Sequence, residues 1–236
     1  PRVHAELRER GVRCGENRVA RLMRENGIRA KQKRSSDRAT TDSDHSLPVA
    51  PNLLDRQFEA DGPNRKWTGD ITYVDTREGW LYLAVVLDLF SRRVVGYAMK
   101  ATLARELATE ALQMALTRRT LKGDSKSSSE ANPLYHSDQG SQYASSDYQA
   151  LLDQADITCS MSRRGDCYDN AVTESFFGTL ETELIGHRDY QNRPKARTDI
   201  FEYIEAFYNR KRRHSALGYL SPAEYEARYS TITDNP

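Results

Sequence analysis

At 236 residues, 26.9 kDa and a mean hydropathy of −0.78, the chain has room for one large or two small domains and the polarity of a soluble one. Its longest strongly apolar run, Trp80 to Leu87, falls far short of the roughly 20 residues of a membrane-crossing helix, and no stretch has the basic, apolar, small-residue order of a secretory signal, so a cytoplasmic location is expected. Cys14, Cys159 and Cys167 lack C-x-x-C spacing and the five histidines are scattered, which supports neither a zinc module nor a disulfide scaffold and leaves reduced thiols in strands or loops.

Charge is unevenly spread along the chain. Residues 1 to 40 carry twelve Lys or Arg against five Asp or Glu, a +7 head on a near-neutral body, as expected of a nucleic-acid-facing module joined to something else. The chain opens on Pro1 rather than Met, which reads as a fragment with an upstream part. Val3, Ala5 and Leu7 form an apolar stripe that Gly11 breaks; Val19, Leu22 and Met23 form a second that Gly27 ends. The spacing predicts a helix-turn-helix fragment over residues 1–34. Arg18, Arg21 and Arg24 recur every three residues along its second helix, on one face suited to phosphate contacts; any exposed, Arg-rich helix pair would show the same pattern.

From Ser35 the composition turns polar, with Pro48, Pro51 and Pro63, predicting a linker over 35–63 with one short turn near Leu53 and Leu54. A core is predicted over 64–225 and a tail over 226–236. Trp67–Val74, Tyr82–Leu89 and Val94–Met99 read as an antiparallel meander, Leu103–Leu116 as a helix and Lys122–Asn132 as a loop. Strand Leu134–Ser137, a helix capped near Ser145 or Ser146, strand Ile157–Met161, a Gly-containing loop over Arg163–Tyr168 and a helix through Glu174–Leu184 follow. This order predicts a mixed α/β sheet flanked by helices and matches the ribonuclease H-like fold.

Three carboxylates stand where phosphodiester chemistry would want them. Asp70 lies mid-strand in Trp67-Thr68-Gly69-Asp70-Ile71-Thr72-Tyr73, where a charge is costly unless paired or metal-bound. Asp138 ends a short strand in His136-Ser137-Asp138-Gln139-Gly140-Ser141-Gln142-Tyr143, and Glu174 lies one turn into a helix, with 35 residues between them. Singly each has an ordinary reading as a bulge, turn or surface residue. Jointly, on two strands and a facing helix, they form the hard-oxygen set that two Mg²⁺ or Mn²⁺ ions require. Asp88 is expected to pair with Arg92 or Arg93 and not to serve the site. Asp166, Asp169 and Asn170 are expected to cap the helix of Glu174. The run Arg210, Lys211, Arg212, Arg213, His214, flanked by Tyr208 and Tyr219, reads alone as a solvated helix end.

With these motifs the sequence resembles a transposase of the insertion-sequence three family, OrfB type, whose core is similar to retroviral integrases. Over nearly the whole chain the likeness runs through Val3–Leu7, Arg18–Met23, Trp67–Tyr73, His136–Tyr143, Met161–Ala171, Phe207–Tyr219 and Ser221-Pro222. The resemblance implies that Asp70, Asp138 and Glu174 are a catalytic and metal-binding triad for two Mg²⁺ or Mn²⁺ ions. It implies cleavage and strand transfer at the ends of a mobile DNA element, with water attacking first and a DNA 3'-hydroxyl second, and a homo-oligomer working on element ends and target. Arg18, Arg21, Arg24, Arg163, Arg164 and the run from Arg210 to His214 become DNA contacts, with stacking on the two tyrosines. No membrane and no small-molecule cofactor are expected.

The sequence departs from the family pattern on one helix face. Members usually carry Lys or Arg at the fourth and seventh positions after the catalytic Glu, where this chain has Gly178 and Glu181, pointing to a weakened copy. Two alternatives stay open: a ribonuclease H-type nuclease, and a DNA-binding remnant or regulator that does not cut.

Overall fold

A computed structural model describes residues 1–31, 46–119, 132–164 and 166–233. The predicted loop at Lys122–Asn132, all but its last residue, and the first part of the predicted linker lie outside these residues. The β-branched and aromatic runs form β1 (Lys66–Val74), β2 (Leu81–Asp88) and β3 (Val94–Lys100), paired antiparallel as a meander. β4 (Leu134–Ser137) pairs parallel with β1, and β5 (Thr158–Met161) parallel with β4, so the order is β3-β2-β1-β4-β5. Parallel neighbours need crossovers, supplied by α3 (Arg105–Arg118) before β4 and α4 (Ser146–Gln154) before β5. This is the mixed, helix-flanked sheet expected from the sequence.

The strand pleat sends alternate side chains into two cores. Trp67, Ile71, Val86 and Tyr135 meet Leu107, Leu112 and Leu152 of α3 and α4 on one face. Val74, Leu83 and Val85 meet Phe176 and Leu180 of α5 (Ala171–Glu183) and Ile200 of α6 (Arg193–Glu202) on the other, where α6 runs on into a wide π-turn over Tyr203–Tyr208. In the head, α1 (Arg2–Glu9) and α2 (Glu16–Glu25) stop where the sequence predicts, at Gly11 and Gly27, which adopt φ of +78° and +65°.

Two predicted boundaries differ from the structure. Part of the expected linker is packed: Leu54 is 1% exposed, and Met161 N–H donates to the Pro51 carbonyl (3.4 Å). The expected tail begins inside α7 (Pro222–Thr233), where Glu226 accepts from Ser91 (2.7 Å), Arg93 (2.6 Å) and Arg119 (2.7 Å) and Tyr225 packs on Phe90. The partners of both segments lie about a hundred residues or more away in sequence, so no local pattern marks either one as docked.

Candidate active site

β1 and β4 run parallel with Lys66 opposite Leu134 and Thr68 opposite His136. The same offset carried two residues further brings Asp138, just past the end of β4, level with Asp70. Asp70 shares its face of β1 with Thr68 and Val74, the side covered by α5, and its Oδ1 accepts the Ile71 N–H (2.7 Å). Oδ1 of Asp138 accepts the Gly140 N–H (2.9 Å), a tight turn in which a Cβ on residue 140 would lie 2.9 Å from that same oxygen. Both aspartates line one narrow cleft with Gln142 and Tyr143.

Glu174 reaches the area because the start of α5 is riveted to β1. The hydroxyls of Thr68 and Thr173 lie 2.7 and 3.0 Å from Asn170 Oδ1, and Asn170 Nδ2 donates to the Gly69 carbonyl (3.4 Å). All three side chains are buried, two residues from Asp70 on one side and next to Glu174 on the other. Asn170 therefore occupies the cap position but bonds across to the sheet instead of capping, while Asp166 caps the preceding turn through the Tyr168 N–H (3.1 Å).

Burial first, then the negative charge of Asp138 and more weakly that of Glu174, pushes the Asp70 carboxyl well above the usual carboxylate range; the Ile71 N–H opposes this. The three groups thus share one field that a cation would relieve. Carboxylate oxygens suit a hard divalent ion. Among the described residues, however, no three His, Cys, Asp or Glu stand ready to hold one ion as they are. Asp70 and Asp138 share the cleft, whereas Glu174 is exposed on α5 outside its lining.

At 3.6 residues per turn, α5 has three distinct faces. Thr173, Phe176 and Leu180 are buried in the core, and Val172, Ser175 and Thr179 line a cavity of about 1610 Å³ shared with α1 and α2 of the head. Glu174, Gly178 and Glu181 fall on the third face. A Cβ at Gly178 would meet nothing within 4 Å, so that position faces open space beside Glu174, whereas Glu181 is partly buried with its carboxylate near Gly186.

Several predicted partners differ. Asp88 is fully buried but forms no ion pair with Arg92 or Arg93; its carboxylate accepts the backbone N–H of Asn64 (2.7 Å) and Phe90 (2.8 Å), because Arg93 is drawn to Glu226. Asp169 is not a helix cap either, being bound by the Arg163 guanidinium (2.9 Å) and by Arg56 (3.0 Å). In the predicted basic run, Arg212 grips Glu183 with two nitrogens (2.9 Å each) and Arg213 binds Glu6 (3.0 Å) and Glu224 (3.3 Å). Burial holds His214 down to about 3, so it is neutral at pH 7, and Tyr208 is buried edge-on against Phe176 and His214. These contacts brace the fold, while Tyr208, Arg212, Arg213 and His214 also line the cavity shared with the head. Arg18, Arg21, Arg24, Arg164, Arg210 and Lys211 are exposed, with Arg21 also 3.5 Å from Glu25.

Sequence reasoning missed Glu183, which receives Arg2 (2.6 Å) and the Lys31 ammonium on its carbonyl (2.9 Å), joining head to core, and is held down to about 2 chiefly by its bonds to Arg212 and Arg2 despite burial. It also missed Asn52 and Arg56. Their partners are over a hundred residues away, and no local motif announces such pairing. Cys14 and Cys159 are free thiols, as expected. No helix among the described residues is long and apolar enough to cross a membrane.

Family models agree with this architecture. Integrase core domains match residues 60–167 and 155–222, and an HTH-like domain matches 1–36. The chain is 48% identical, over 97% of its length and 80% of the relative's, to the insertion element IS600 31 kDa protein of Shigella sonnei. It is 47% identical, over 96% of its length and 75% of the relative's, to the transposase InsF for insertion sequence IS3A of Escherichia coli K12. Its fold is similar to a chain of the simian T-cell lymphotropic virus intasome in complex with the PP2A regulatory subunit B56 gamma (TM-score 0.57, 18% identity, 79% of this chain and 60% of that one). It is also similar to the HTLV-2 integrase catalytic core domain in complex with magnesium, trimeric form (TM-score 0.52, 18% identity, 71% of this chain and 99% of that one). Near half-identity over most of the relatives' length, together with integrase core models on the sheet and a helix-turn-helix model on the head, shows that the chain belongs to the IS3-type insertion-sequence transposases.

Proposed function

We propose that the chain is a DNA transposase, a polynucleotidyl transferase that cleaves and rejoins DNA at the ends of an insertion sequence. The observation that carries this reading is the register that sets Asp70 level with Asp138 under the riveted start of the Glu174 helix. Asp70 and Asp138 would hold Mg²⁺ or Mn²⁺ in their cleft, with Glu174 completing the set. Such ions, when bound, activate an attacking oxygen and stabilise a leaving one. The chain's own work is to keep the two aspartates aligned, to carry Glu174 beside them, and to hold the DNA backbone against the cleft. Among the described residues the exposed arginines of α2, Arg164 and the Arg210–Lys211 pair are cations suited to that last task. A homo-oligomer on paired DNA ends is part of the reading, since the similar viral chains are described as an intasome and as a trimeric form.

A strand-transfer assay on duplexes carrying the ends of the encoding element, with Mg²⁺ or Mn²⁺, tests it. Joining of one DNA end to a second duplex is the expected result. Cleavage of RNA in a hybrid without joining would make the chain a ribonuclease H-type nuclease. DNA binding with no metal-dependent cutting would make it a regulator.

A further inference from the structure

Asp169 takes no part in the chemistry proposed above, yet its fully buried carboxylate is gripped from three sides. Arg163 donates its backbone N–H (3.0 Å), its Nε (3.0 Å) and a terminal guanidinium nitrogen (2.9 Å). Asn52 donates its amide (2.8 Å) and Arg56 its Nε (3.0 Å). Arg56 also binds Asp166 (2.5 Å) and lies 5.7 Å from the ring centre of Tyr168, while Arg163 reaches back to Asp55 (3.1 Å). The loop that leads into the Glu174 helix is therefore held at both ends by residues 52–56, a segment outside the sheet.

The same segment has a second anchorage. Leu53 and Leu54 donate their N–H groups to Ser160 Oγ (2.9 and 3.2 Å). A serine hydroxyl has two acceptor positions and one proton, so the proton is directed to His136 Nδ1, 2.9 Å away. His136 stands two residues before Asp138 on β4, and Asp169 five before Glu174. One segment upstream of the core thus abuts the supports of two of the three carboxylates.

We propose that residues 52–56 form a positioning strap and that Asp169 is the positioning residue through which it fixes Glu174 over the cleft. The inference rests on the reading of Glu174 as catalytic. Its physical basis is that an irregular loop at a helix start opens easily unless its polar groups are held, and a buried carboxylate with five donors holds it in one arrangement. A shift of about 1 Å at a reacting group can cost on the order of 100-fold in rate.

Arg56→Gln tests the strap, because Arg56 is half exposed and Arg163 still neutralises Asp169 in its absence. The full chain is assayed with Mn²⁺ on element-end duplexes, and backbone hydrogen exchange is followed without DNA or metal. The expected result is a fall in turnover of about tenfold at saturating DNA, affinity for DNA within about twofold of the parent, faster exchange confined to the loop from Arg163 and the first turn of α5, and partial recovery of both in Arg56→Lys. Unchanged exchange in the loop, faster exchange with unchanged turnover, or lost protection throughout the sheet would each overturn the proposal. Should the parent chain itself fail to cut, the transposase reading falls, and the exchange measurement still decides whether the strap holds the loop.

Discussion

Asp70 shows how one side chain can be poorly placed for stability and well placed for chemistry. Its folded-state pKa is raised by burial and by its carboxylate neighbours, so the stability it contributes is full below the ordinary value of 3.8 and is lost as pH rises through the folded value. Asp70→Asn removes that charge. The metal-free variant is expected to unfold at higher temperature than the parent at pH 7, with the gain vanishing below pH 3.8. Asp70→Asn, Asp138→Asn and Glu174→Gln should each abolish Mn²⁺-dependent cleavage while unfolding stays cooperative by circular dichroism; parental cleavage in any one of them would remove that residue from the triad. His214 behaves oppositely to a surface cation. Its folded pKa of about 3 lies below the ordinary 6.5, so the protein loses stability as pH falls below 6.5 and the unfolded chain takes up the proton. His214→Phe, which keeps a ring against Tyr208, should flatten the fall in melting temperature between pH 6.5 and 4, and a DNA affinity unchanged at pH 7 would confirm that His214 is not a phosphate contact.

Among the elements, α5 carries the widest range of duties: one face in the core, one toward the head, one beside the site. Gly178 interrupts it on the third face. Because a Cβ there meets open space, Gly178→Ala should stabilise the protein by about 1 kcal/mol, the cost of glycine inside a helix, as read by chemical denaturation. Gly178→Lys with Glu181→Lys should make this face basic, as the resemblance to the family implies it to be. DNA affinity and strand transfer are expected to rise at fixed salt and the gain to shrink as salt increases. No gain in either quantity would place this face away from the DNA. In the run after α6, part of what reads as a DNA clamp also serves as a brace, while Arg210 and Lys211 stay exposed. Arg212 and Arg213 bind Glu183, Glu6 and Glu224, and Asn209 takes the place of a strand neighbour by bonding both the N–H (3.0 Å) and the carbonyl (2.9 Å) of Val94.

At the level of the whole molecule, a strongly basic head is joined to the core largely through charge: Arg2 and Lys31 on Glu183, Arg213 on Glu6. Some head cations are thereby engaged internally, yet the arginines of α2 stay on the surface. Deleting residues 1 to 40 should flatten the dependence of log DNA affinity on log salt, since each neutralised phosphate of duplex DNA contributes roughly −0.9 to that slope. An unchanged slope in a binding titration would move the DNA contacts to the core.

The strands, the α3 and α5 helices, the two glycine-ended head helices and the positions of the three carboxylates were legible in the sequence, because periodicity, turn residues and motif spacing are local signals carried by neighbouring residues. The family, too, was legible from ordered motifs. What only the tertiary structure decided is who pairs with whom. Asp88 looked like half of an ion pair and holds a turn; the segment before β1 looked like a linker and clasps the loop of Asp169; residues after 225 looked like a tail and, as far as Thr233, continue a docked helix. Each of these is settled by a charge or hydroxyl meeting a partner that is remote in sequence. A basic residue reads the same in sequence whether it faces solvent, a phosphate or a buried glutamate, and only the packing of the sheet and its helices determines which of these it meets.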